Sequence, residues 1–170
     1  MGGDVEFQKY TFETTWYKHM FWKFVAMAQG RSAVVTGWEN SDEVPLDEYF
    51  RLGGIGYTGV RGYPDNSIGP IKKGDVIGGR SMLIGTFEIQ VHVAAPIGFL
   101  IFFDAGNVWS SIRQTRPKYL KLGTGLGVRI EIPMLGMLGF DVGYGFCDIY
   151  DNGSWKKSGF NPHFQFGSTF

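Results

Sequence analysis

Apolar and polar positions alternate along most of this chain. Residues 81–93 set Leu83, Gly85, Phe87, Ile89 and Val91 on one face and Thr86, Glu88, Gln90 and His92 on the other. A period of two is the mark of a β-strand. Residues 119–132 set Leu122, Thr124, Leu126, Val128 and Ile130 against Gly123, Gly125, Gly127, Arg129 and Glu131. Residues 138–147 set Phe140, Val142, Tyr144 and Phe146 against Asp141, Gly143, Gly145 and Cys147. Residues 98–109 are mostly apolar but carry Asp104 in line with Leu100 and Phe102. A last strand over 162–170 sets Phe164, Phe166 and Phe170 against Gln165, Gly167 and Thr169. Two long runs, 5–18 and 20–36, open the chain and join near Lys18-His19. The pattern predicts an all-β chain of about seven antiparallel strands.

Residues 38–80 break the alternation with Pro45, Pro64, Pro70 and many glycines. A connection of roughly forty residues is long for a compact domain, and such loops are usually functional.

The two strand faces invert the rule for soluble proteins. A soluble sandwich turns its bulky apolar face inward. Here the second face combines glycine with ions: Glu88, Asp104, Arg129 and Asp141 share parity with Gly123, Gly125, Gly127, Gly143 and Gly145. A lipid-facing outside and a crowded, polar inside account for this pattern, which is that of a transmembrane β-barrel. The inner glycines would let something thick lie on the wall. An odd number of antiparallel strands does not close on itself, and an open sheet of seven leaves two long edges. The expectation is one side of a larger barrel.

Composition narrows the picture further. Glycine makes up 26 of 170 residues and aromatics 16%, which suits twisted β-structure with aromatic girdles. Trp16, Tyr17, Trp22, Trp109 and Tyr150 lie near strand ends, where a membrane-interface belt would sit. Lys plus Arg and Asp plus Glu balance at 16 each, so no basic field points to nucleic acid. Cys147 is the single cysteine, which leaves no disulfide framework. His19, His92 and His163 lack ligand spacing, so no metal site is expected. Glu88 and Asp104 have no accompanying nucleophile or base, so no catalysis is expected. Gly53-Gly54-x-Gly56 and Gly123-x-Gly125-x-Gly127 do not open a helix after a strand and are not phosphate loops. No apolar run reaches the roughly 18–20 residues of a membrane helix. Met1-Gly2-Gly3-Asp4 shows no secretory signal, so the chain reads as a C-terminal segment.

Several motifs follow one another in a specific order. They are Phe50-Arg51-Leu52-Gly53-Gly54, Val60-Arg61-Gly62-Tyr63, Gly78-Gly79, Glu88 in mid-strand and Phe103-Asp104-Ala105-Gly106-Asn107-Val108-Trp109. Gly123-x-Gly125-x-Gly127-x-Arg129, Pro133-x-x-Gly136, Asp141 and the closing Phe164-x-Phe166-Gly167 complete the series. Each is weak alone; their order and spacing together are specific. The chain resembles the barrel domain of BamA-type outer-membrane assembly factors, of the bacterial surface antigen or POTRA-barrel superfamily. That superfamily includes mitochondrial and chloroplast relatives and two-partner secretion transporters. The resemblance covers nearly the whole chain.

The resemblance implies a sixteen-stranded barrel, with residues 1–170 as its C-terminal half. It makes 38–80 an extracellular loop folded back into the lumen, anchored through Arg61, Gly62 and Tyr63 to Glu88 and Asp104. Gly123, Gly125, Gly127, Arg129 and Asp141 would line the lumenal wall. Phe164, Phe166, Gly167 and Phe170 would form a C-terminal insertion signal. The implied function is folding and insertion of other outer-membrane proteins at a weak barrel seam, with no cofactor. The implied location is the bacterial outer membrane, after export to the periplasm. The implied partners are the lipid bilayer, client outer-membrane proteins and, in the full-length protein, POTRA domains and accessory lipoproteins. Alternative readings are the pore of a two-partner secretion transporter, the barrel half of a patatin-type phospholipase fusion and, least favoured, a soluble β-sandwich binding module.

Overall fold

Strands form where the alternation lies. The computed structural model describes residues 6–38, 44–94, 96–134, 136–151 and 153–167. The strands are β1 (Phe7–His19), β2 (Phe24–Gly37), β3 (Ile71–Lys72), β4 (Asp75–Val76), β5 (Ser81–Ala94), β6 (Ile97–Trp109), β7 (Lys121–Ile132), β8 (Gly136–Asp151) and β9 (Ser154–Phe166). Seven of them form one sheet in the order β1-β2-β5-β6-β7-β8-β9. Every neighbouring pair is antiparallel, so the sheet is a meander interrupted by the 38–80 connection. The short strands β3 and β4 pair only with each other, inside that connection.

Face polarity follows parity. On β6, Phe99, Ile101 and Phe103 are exposed while Leu100, Phe102 and Asp104 are buried. Leu122, Leu126, Phe140, Val142, Phe160, Phe164 and Phe166 continue the exposed apolar face across β7, β8 and β9. Gly123 and Gly125 pair with Gly145 and Gly143 across β7 and β8, and Gly127 pairs with Asp141. The opposite face therefore carries a strip almost bare of side chains. The sheet curls around that face: Glu13 and Thr15 of β1 and Gln165 of β9 line one cleft of about 490 Å³.

The inner face departs from the expectation of glycine and charge throughout. Toward the end where the long connection emerges it is apolar. There Ala33, Val35, Met82, Ile84, Val108 and Ile149 pack against Leu52, Val60, Tyr63 and Ile68 of the loop in one buried cluster. The loop brings its own apolar side chains and needs a dry partner. The carboxylates of Glu88, Asp104 and Asp141 lie on the rows below that cluster.

The terminal strands also differ from their expected limits. β8 extends to Asp151 and carries a bulge between Gly145 and Asp148. β9 starts at Ser154, eight residues before the expected 162, and ends at Phe166. Its first half has no clean alternation because Gly159 adopts φ +69°. That left-handed residue resets the parity, so Ser158 and Asn161 both reach the loop. Phe170 lies outside the described residues. Trp109 departs from the exposed aromatic belt: it is buried, while Trp16 and Trp22 are exposed.

Candidate functional site: an arginine cluster between loop and wall

The loop turns back on the sheet through three isolated bridges, Phe50↔Gly79, Leu52↔Ile68 and Gly54↔Val60. These carry Val60 and Arg61 to the glycine strip. A Cβ on Gly123 would stand 2.0 Å from the Arg61 carbonyl oxygen, and one on Gly143 2.4 Å from the Gly62 nitrogen. Side chains there would expel the loop. Gly62 has φ +91°, and its own Cβ would lie 2.7 Å from the Tyr144 carbonyl carbon. Both the conformation and the contact demand glycine.

Arg61 is buried, and its guanidinium meets three carboxylates. Nε stands 2.7 Å from Asp104 Oδ2, and Nη2 donates to Asp104 Oδ1 at 2.9 Å. Nη1 lies 2.6 Å from Glu88 Oε1 and 3.3 Å from Asp141 Oδ2. The Arg61 backbone N–H also donates to Asp104, at 3.0 Å. The guanidinium carbon sits 3.7 Å from the centroid of the Phe102 ring, where a cation is attracted by the ring face. Asp141 takes a second cation, Arg129, whose Nη2 donates at 2.9 Å. Gln90 donates to the other oxygen of Glu88 at 2.9 Å. Three carboxylates thus face two guanidiniums, in a site where every acid has a partner.

Burial alone would lower the Arg61 pKa, but the hydrogen bond and charge of Asp104, then Glu88 and Asp141, outweigh it and hold the group above its ordinary value. A raised folded-state pKa leaves its contribution fully present below the ordinary arginine range. The cation therefore persists at every physiological pH. Burial raises the Tyr63 phenol as well, so it stays protonated. It donates to the Leu122 carbonyl at 2.6 Å and accepts from the Cys147 N–H at 3.1 Å. Tyr63→Phe should cost about 1–3 kcal/mol, because two part-buried backbone groups lose a partner. Urea titration of the intact protein in vesicles measures this; a neutral effect would mean that water replaces the hydroxyl.

The sequence placed Glu88, Asp104 and Asp141 on one face, and the structure brings all three to Arg61. Asp141, expected only as wall, contacts Arg61 and Arg129 together. Gly125 is walled in by the Val142 carbonyl and the Phe102 ring, and Gly127 by the Asp141 carboxylate. Phe164 and Phe166 point away from the site, and the Gly167 N–H donates to the Met137 carbonyl at 3.1 Å.

Sequence reasoning missed four partners. The Gly62 N–H donates to His163 Nε2 at 3.1 Å, which requires that nitrogen to be unprotonated. The Gly62 carbonyl accepts from Ser158 Oγ at 2.6 Å and from Asn161 Nδ2 at 2.9 Å. Both polar groups of one residue are thus held by β9. At the other side of the sheet, Arg31 of β2 donates to the carbonyls of Gly56 and Tyr57 and makes a looser ion pair with Glu13 at 3.4 Å. The parity of Arg31 was legible; its target on the loop was not. Residues 56–63 therefore reach from β2 to β9, and the loop spans the inner wall. Such an arrangement fixes a backbone in place.

Comparison with known proteins gives a consistent set of likenesses. A family model described as the Omp85 superfamily domain matches residues 1–170. The chain is 34% identical over 150 residues to outer membrane protein assembly factor BamA of Nitratidesulfovibrio vulgaris, covering 85% of this chain and 18% of that protein. It is 28% identical over 119 residues to the BamA of Neisseria meningitidis serogroup B, covering 64% of this chain and 15% of that protein. It is 36% identical over 100 residues to sorting and assembly machinery component 50 homolog B of Xenopus laevis, covering 58% of this chain and 19% of that protein. The chain thus spans less than a fifth of each of these relatives. Its fold matches the crystal structure of BamA from Haemophilus ducreyi lacking POTRA domains 1–3, with a TM-score of 0.73 at 19% identity over 96% of this chain and 36% of that one.

Proposed function

The chain belongs to the Omp85 superfamily, and from that premise we propose that it forms the C-terminal half of the barrel of an outer-membrane protein assembly factor. It is an integral outer-membrane β-barrel segment, with strands of 12–16 residues in its main sheet, ample for the roughly 9–11 that a tilted span requires. The observation that carries the functional reading is the 56–63 segment, held on the inner wall from β2 to β9 by Arg31, the Arg61 cluster and the Gly62 hydrogen bonds.

In this reading the Arg61 cluster is the loop anchor and Gly123, Gly125, Gly127, Arg129 and Asp141 form the lumenal wall that receives it. A buried ion pair adds little net stability over an apolar pair but fixes position. The anchored loop keeps the wall rigid, while the work is done at the seam beside β9. There a client outer-membrane protein adds a strand by β-augmentation, next to a locally thinned bilayer, with no covalent step and no cofactor. POTRA domains and accessory lipoproteins deliver the client in the full-length protein. The names of the similar proteins favour assembly over a secretion pore or a phospholipase fusion.

The test is direct. The full-length protein, reconstituted in vesicles, should speed folding of a urea-unfolded outer-membrane barrel at least tenfold over empty vesicles, read by the heat-modifiable gel shift of the client. Export of a soluble polypeptide without any gain in barrel folding would replace this reading with the secretion pore.

A further inference from the structure

We infer that the connection between β6 and β7 is a binding site for phosphorylated lipid headgroups at the barrel rim. Between Asp104 and Glu131 the chain has no acidic residue and five cations: Arg113, Arg116, Lys118, Lys121 and Arg129. Arg129 is committed to Asp141 on the inner wall. Lys121 donates to the Asp148 carbonyl and lies 5.9 Å from the Trp155 ring centroid. Arg113, Arg116 and Lys118 remain on the exposed connection, and among the described residues none of their side chains has a carboxylate partner. Asp151, on the neighbouring hairpin, is already paired with Lys156.

The segment is ordered rather than a loose basic tail. It makes two short turns, Ile112–Gln114 and Pro117–Tyr119. Asn107 donates to the Tyr119 carbonyl at 2.8 Å, and Ser81 and Thr115 hydroxyls meet at 2.7 Å. Arg80 donates to the Ser110 carbonyl at 3.3 Å. A platform tied down at both ends loses little entropy when it binds a ligand.

Its depth and chemistry point to lipid. Leu122, the residue after Lys121, already belongs to the exposed apolar face, so the cations stand at its upper border. Ile112 and Tyr119 are exposed among them, at 60% and 55%, and Lys118 lies 4.9 Å from the Tyr119 ring centroid. Apolar and aromatic groups mixed with cations at the edge of a hydrocarbon-facing band suit a headgroup layer. The opposite rim is different: its short turn exposes Met20, Phe21 and Trp22. In outer-membrane barrels the longer connections face outward and the short turns face the periplasm. The cationic rim therefore meets the outer leaflet, and the ligand class is an anionic lipid bearing phosphate groups.

The test uses the intact protein in non-ionic detergent, titrated with bis-phosphorylated lipid A, with bound lipid counted by native mass spectrometry. Each cation near an anionic surface is worth about fivefold in affinity. The variant Arg113→Gln/Arg116→Gln/Lys118→Gln should bind on the order of a hundredfold more weakly, and wild-type binding should fall with added salt. Lys23→Gln, on the opposite rim, should bind as wild type does. Lipid A stripped of phosphate should not distinguish the variants. Should the triple variant fail to fold, Arg116→Gln alone carries the test with a loss of about fivefold. Unchanged affinity, or an equal loss for the dephosphorylated lipid, overturns the proposal. Inorganic phosphate competing as well as lipid A would also overturn it, in favour of a free-anion site. None of these outcomes depends on whether the protein assembles other barrels.

Discussion

Arg61→Ala should lower the stability of the intact barrel by about 3–5 kcal/mol, the cost of breaking a buried pair from one side. The reason is the charge left behind. Glu88, Asp104 and Asp141 all lie within 3.3 Å of the guanidinium. Without it, Arg129 still serves Asp141, but the other two lose their cation. Arg61→Lys should recover only part of the loss. An ammonium is a point charge; it cannot reach both oxygens of Asp104 while lying flat on Phe102 and touching Glu88. Urea titration of the vesicle-embedded protein measures both variants. The contacts of Arg31 with Gly56 and Tyr57 and those of Gly62 with β9 do not use the guanidinium and should still hold the loop on the wall. An effect of Arg61→Ala below about 1 kcal/mol would place the guanidinium in a wet, screened environment.

The second large effect belongs to the outer face. Leu126 is 63% exposed and sits mid-strand between Ile101 and Val142 on its neighbours. If that face meets hydrocarbon, Leu126→Arg should cost about 2–4 kcal/mol in a lipid-folding titration. A neutral result would mean that the exposed apolar band faces something other than lipid. Both predictions use the same sheet, and their sites lie on opposite faces of β7. They should add within about 0.5 kcal/mol, as independent sites do.

How much of this was legible in the chain differs by element. β5, β6 and β7 could be read because their side chains keep a strict period of two, and the acids could be sorted by that same parity. Which acids meet Arg61 could not be read. That depends on the registers Thr86↔Asp104, Asp104↔Gly123 and Gly127↔Asp141, which set Asp104, Glu88 and Asp141 on three successive rows of the wall. Parity orients a side chain, and strand offset decides its neighbours. The first half of β9 was hidden because Gly159 resets the alternation, and with it went Ser158 and Asn161; His163 fell inside the expected strand, but its partner on the loop could not be read. The apolar upper wall was hidden for another reason. Ala33, Val35, Met82 and Ile84 look like ordinary strand content until the loop supplies Leu52, Val60 and Ile68 to cover them.

The measurement that bears most directly on the account is a double-mutant cycle between Arg61 and Asp104 in the intact barrel, by urea titration in vesicles. Because Asp104 contacts the guanidinium through both oxygens and takes the Arg61 N–H as well, the two losses must overlap. Arg61→Ala and Asp104→Ala should each be strongly destabilising, and the double variant should cost at least about 1 kcal/mol less than their sum. Strict additivity would contradict the account: it would mean that the loop does not rest on the inner wall when the barrel is in its membrane.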